Sequence, residues 1–274
     1  MPDALRDFQK TEKPVREWYK NNFNIIFPKI DYVMLPEGLN NFQGVCVNLG
    51  QDINNSSLEQ RLIKAKTKVV KKYKRYFKTS EQKKIFKDFE EAKPYKGNLD
   101  DGMSKEELDY MYKISPTTMM ISSGFEFENE FKSQRTMTHE LFHVYQSISG
   151  LHKDYNVIGE ASAYYVADRL FANKKTNTIM NSFLERFLRQ IERKKSNEDI
   201  LPIIKETHLD MTGFMILNHS LKNKSREKRF ELLKEKEFYK EIEEKLFYNH
   251  FRSYAKFFLG HVTGFSLLNK VLQD

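Results

Sequence analysis

His139-Glu140-Leu141-Phe142-His143, with Gly159-Glu160-Ala161 sixteen residues after the second histidine, is the pattern around which the rest of the chain can be organised. An H-E-x-x-H run on a helix sets two imidazoles at i and i+4, one turn apart on one face. At that spacing both can grip one Zn²⁺. The glutamate between them stands beside the metal, placed to take a proton from water. A helical reading of 134–148 is natural, because the segment lacks Gly and Pro and gains an apolar side from Met137, Leu141 and Val144. Chance produces the five-residue motif in roughly one or two per cent of chains with this histidine content, so its weight comes from the surroundings.

A zinc site of this kind needs a third protein ligand and leaves a fourth position open. Ser147 and Ser149 occupy the places where a closely spaced third histidine would stand. Glu160 is the preferred candidate. It opens a second helix, expected over 160–171, and Ala161 and Ala163 beside it are small enough for two helices to approach closely around a metal. His152 and Asp154 in the intervening loop, 149–158, are the competitors.

His139-Glu140-x-x-His143 followed by Glu160 resembles the gluzincin class of zinc metallopeptidases, and Gly159-Glu160-Ala161-Ser162-Ala163-Tyr164 is similar to the glutamate helix of that class. The resemblance covers about 117–171, a fifth of the chain. The compact archaeal minigluzincins are the nearest in layout, though this chain is much longer. The resemblance implies a zinc peptidase with His139, His143 and Glu160 as ligands and Glu140 as general base. It also implies an edge strand, Thr117–Ser122, that pairs with an extended peptide substrate by β-augmentation. In several gluzincins an Asp four residues after the ligand Glu hydrogen-bonds the first histidine. Here Tyr164 holds that position and Asp168 follows one turn later, so either can supply the oxygen that a metal-bound histidine requires. Asp168 can equally be an ordinary surface charge, paired with Arg169 or a lysine.

The reaction also calls for a donor to the developing oxyanion. His208, His219, His250, Tyr254, His261 and Tyr165 are the candidates, and the sequence does not choose among them.

The remaining composition sets bounds. At 274 residues and 39% hydrophobic content, the chain can bury a sizeable core, and scarce Gly and Pro favour helices. A single cysteine, Cys46, excludes an internal disulfide and fits a reducing compartment. No run approaches a membrane span of about 20 apolar residues, and Met1–Asp7 is not followed by the apolar core of a signal peptide. The expectation is a cytoplasmic protein, with signal-less export left open. No glycine-rich phosphate cradle, helix-turn-helix or zinc-finger spacing is present.

The net charge of +8 is concentrated: residues 58–96 hold 14 Lys and Arg against 5 Asp and Glu. A Ser56/Glu59 or Ser57/Gln60 capping box opens a helix there. Leu62, Ala65, Val69, Tyr73 and Phe77 form its apolar stripe, and a second basic helix is expected over about 80–92. These helices are a solvated face or a surface for nucleic acid, an acidic membrane or an acidic partner.

The resulting expectation is an α+β, predominantly helical fold: a zincin-like metallopeptidase core with a small sheet, an active-site helix and a helical C-terminal region. Residues 1–115 form an N-terminal α+β region with the basic helices, 116–175 the zinc-binding catalytic core, and 176–274 the helical C-terminal region. The expected activity is zinc-dependent hydrolysis of a peptide or protein substrate, with one Zn²⁺ per chain. The alternative is a latent or inactive metallopeptidase scaffold that binds nucleic acid or protein through 58–96.

Overall fold

The structure is a computed structural model, and it describes residues 2–27, 30–34, 45–48, 58–73, 93–95, 118–122, 130–151, 156–191 and 197–246. The elements are α1 (Pro2–Phe23), β1 (Ile30–Met34), β2 (Val45–Asn48), α2 (Leu58–Tyr73), β3 (Lys93–Tyr95), β4 (Thr118–Ser122), α3 (Glu130–Ile148) and α4 (Asn156–Tyr165). A π-helical segment (Val166–Phe171) continues α4, followed by α5 (Thr176–Ile191), α6 (Asn197–Leu221), α7 (Arg226–Leu232) and α8 (236–246).

Helical spacing explains which faces are buried. On α1, Thr11, Val15, Tyr19 and Phe23 recur every four residues and are all buried. The helix stops at Asn24, whose positive φ of 53° is a left-handed conformation that asparagine tolerates at a helix end. Trp18 and Phe23 meet Phe230 of α7, with ring centroids 6.0 and 4.2 Å away, and Trp18 also meets Phe171. Phe23 further contacts Phe142 of α3. Aromatic edges thus fill the space behind α3. The Tyr19 hydroxyl donates to the Thr138 carbonyl, one residue before His139, which ties α1 to the back of the motif helix. One hydrophobic cluster runs from Val15 to Leu246.

The expected zincin-like α+β core is not supported. The described residues are overwhelmingly helical, and the buried side chains around the motif come from helices. Four short segments do pair, in the order β2-β4-β1-β3, with β4 parallel to β1 and antiparallel to β2. They are three to five residues long, and the aromatic helices build the described core around the motif. The edge-strand expectation also falls. β4 lies between β2 and β1 with both sides occupied, so it has no free edge to offer an extended peptide.

Other boundaries moved as well. The motif helix begins at Glu130, and α6 begins at Asn197. α2 starts at Leu58, with Ala65 of its stripe buried and Leu62 partly so. The second basic helix at 80–92 lies outside the described residues. Among the described residues, no helix is long and apolar enough to cross a membrane.

Candidate metal centre

α3 and α4 lie side by side and antiparallel, as their contacts require. Glu160 meets His143 and His139. One turn later Tyr164 meets His139, and one turn beyond that Asp168 meets Arg135. Four-residue steps on each helix keep all these groups on the shared face. Glu160 therefore sits one turn inside α4 and not at its opening.

The metal-type atoms converge. His143 Nε2 is 3.1 Å from His139 Nε2, Glu160 Oε2 is 3.3 Å from His139 Nε2, and Glu160 Oε1 is 3.4 Å from His143 Nε2. Donors held about 2.0–2.1 Å from a tetrahedral Zn²⁺ stand roughly 3.3 Å from one another, so these separations are compatible with that ion. Among the described residues, His139, His143 and Glu160 form the metal-type cluster. The two imidazoles are mostly buried, whereas Glu160 is about a third exposed at 36%, which leaves one side of the cluster open to a further ligand.

The electrostatics are those of a site built around positive charge. Burial alone would lower the pKa of His143. The Glu160 carboxylate, by charge and hydrogen bond, overrides this and raises it from 6.5 to about 9, with Glu140 and Gln146 adding to the effect. Burial pushes the Glu160 carboxyl up, but His143 and His139 outweigh it and hold that carboxyl well below the usual carboxylate range. Glu140 is buried and near enough to His143 to influence its charge.

The supporting groups differ from expectation. Asp168 does not reach His139, and it is not a surface charge either. It is 1% exposed and accepts two hydrogen bonds from Arg135, one of them from Nη2 at 2.8 Å. This bidentate pair clamps the motif helix to the π-helical segment, where an i→i+5 bond runs from Ala172 N–H to the Ala167 carbonyl. Tyr164 packs its ring against His139, centroids 4.4 Å apart, and against Phe183 of α5. His139 Nδ1 has no hydrogen-bond partner among the described residues.

Ala161 permits a close approach of α6. A Cβ placed on Gly213 of α6 would stand 2.8 Å from the Ala161 Cβ and 3.2 Å from Ile158 Cδ1. Of the oxyanion candidates, Tyr165 packs in the core against Phe214, and the charges that bear on its hydroxyl are Arg229 and Arg169. His208 is buried in α6, and His219 is exposed near that helix's end. His250, Tyr254 and His261 lie outside the described residues, as do His152 and Asp154.

Two groups in this site escaped the sequence reading, Arg135 and Gln146. Their signal was available in part: Arg135 precedes His139 by four residues and Gln146 follows His143 by three, so both lie on the ligand face. Their partners on α4 carried no local signal. Comparison with protein-family models, curated proteins and solved structures yields no match.

Proposed function

We propose that the chain is a zinc-dependent metallopeptidase of the gluzincin type, a hydrolase of peptide bonds. The observation that carries this reading is the convergence of His139, His143 and Glu160, with donor atoms 3.1–3.4 Å apart, beside the buried Glu140. The three residues would hold one Zn²⁺, whose contribution is Lewis-acid polarisation of a carbonyl and a lowered pKa of water. Glu140 takes the proton from the attacking water and passes it to the leaving amine. A buried carboxylate suits the task, because a base screened from solvent keeps its proton for the leaving group. Substrate enters on the open Glu160 side.

The test is metal analysis and peptide hydrolysis on the same preparations. The wild-type chain should carry about one zinc, and His143→Ala and Glu160→Ala should carry little. Glu140→Gln should keep its zinc and lose on the order of 10²–10⁴-fold in kcat. Zinc-free wild-type protein after reconstitution would sink the reading. So would an E140Q variant that hydrolyses peptides as fast as wild type. Attention would then pass to the basic 58–96 segment as a binding surface.

A further inference from the structure

Gln146 is 1% exposed, and every polar end of its amide is engaged. Its Nε2 donates to the Gly159 carbonyl at 3.0 Å and to Ser162 Oγ at 2.8 Å. Its Oε1 lies 2.9 Å from His143 Nδ1. A backbone carbonyl can only accept, so the amide NH₂ must face Gly159 and the amide oxygen must face the imidazole. An amide oxygen can only accept in turn, so Nδ1 carries a proton. The other ring nitrogen, Nε2, is the one turned to His139 and Glu160.

We propose that Gln146 is a positioning residue for His143: it fixes the ring's rotation and keeps Nδ1 as the donor, so that Nε2 is committed to the ligand position. The inference rests on the metal-site reading for its purpose, but not for its geometry. Ser162 locks the amide from behind, since its hydroxyl lies 2.8 Å from the Ile158 carbonyl and 3.0 Å from that of Gly159. Tyr239 of α8 is fully buried against the same Gln146–Ser162 pair. The ring orientation of a ligand on α3 is thus set through α4 and braced by α8. Partners of this kind typically change metal affinity 10–100-fold when removed.

The experiment reads the imidazole directly. In ¹⁵N-labelled full-length protein, the His143 Nδ1–H proton should be observable and protected from solvent exchange, both with and without zinc. In Gln146→Leu that protection should vanish and zinc affinity should fall 10–100-fold. Gln146→Glu keeps an acceptor for Nδ1 but loses the two hydrogen bonds that the amide nitrogen donates, so it should retain the protected proton and bind zinc more tightly than Gln146→Leu. A purely structural role for Gln146 would not separate Leu from Glu in this way. An unprotonated Nδ1 in the wild-type protein overturns the proposal, and so does a Q146L variant that binds zinc within twofold of wild type. Should Q146L not fold, the wild-type spectrum still decides. A wild-type chain that binds no zinc yet shows the protected proton supports the Gln146 geometry and counts against the metallopeptidase reading alone.

Discussion

The two faces of α4 use burial in opposite ways. Toward α3 it presents Glu160, Tyr164 and Asp168, which meet two imidazoles and a guanidinium. Toward α6 it presents Ile158, Ala161 and Tyr165, which meet Gly213 and Phe214 with no described polar contact between them. The first face gains geometry and charge at the cost of desolvating ions. The second holds the helix by close packing, so that the polar face need not supply the stability. The comparison teaches that the site's precision depends on a contact that never touches it.

Breaking the polar face away from the ligands should have the largest effect on stability. Arg135→Ala leaves the Asp168 carboxylate buried without its bidentate partner, and removing one member of a buried pair costs about 3–5 kcal/mol. Urea denaturation of R135A against wild type checks this. The double change Arg135→Met with Asp168→Leu should recover most of the loss, because replacing both charges with apolar groups removes the desolvation penalty. A double variant as unstable as R135A would show that the pair contributes something beyond charge compensation.

The dry face should give a smaller effect of steric origin. Gly213→Ala improves helix propensity by about 1 kcal/mol, yet its Cβ would press on Ala161 Cβ at 2.8 Å. Overpacking of a tight contact costs about 1–3 kcal/mol, so the net change should be a modest loss. Ala161→Gly in the G213A background should recover the part of the loss that comes from the Ala161 clash, less about 1 kcal/mol of helix propensity, while the Ile158 Cδ1 contact at 3.2 Å stays. Thermal melts of the four-member cycle would show the coupling. Additive effects would mean that the helices simply move apart.

These two faces also mark how far the sequence could be read. The i, i+4 spacing that sets His139 and His143 on one helix face is local, so their juxtaposition was legible, and the structure brings Glu160 to both of them. The Arg135–Asp168 pair spans 33 residues, and the orientation of Gln146 depends on acceptors 13 and 16 residues away. No local pattern reports such pairings. The edge strand was misplaced for the converse reason. A strand at 117–122 is a local expectation, whereas which strand lies at the edge is a question of pairing order. Ala161 also packs closely on Gly213 of α6, a contact the sequence did not announce, because a small residue does not say which neighbours it admits.

The last comparison separates the faces by pH. In the metal-free chain His143 is raised from 6.5 to about 9, chiefly because the Glu160 carboxylate outweighs the burial that would lower it. A raised histidine contributes stability that is fully present below its ordinary value and is lost as pH rises through the folded one. The metal-free protein should therefore lose stability between pH 6.5 and about 9. Zinc needs the neutral nitrogen, so at pH 7.5 its binding must expel close to one proton from His143, and apparent affinity should climb by up to about tenfold per pH unit until His143 is itself deprotonated. Calorimetry in buffers of different ionisation enthalpy counts that proton, and in metal-free Glu160→Gln the His143 titration, followed by NMR, should fall back toward its ordinary value because the main cause of the raised value is gone. The three atoms nearest a Cβ on Gly213 are carbons of Ala161, Ile158 and Leu246, so the G213A penalty should be the same at pH 6 and pH 9. A G213A penalty that changed with pH would mean that the two faces of α4 are not independent, and that strain on one side is felt by the charges on the other.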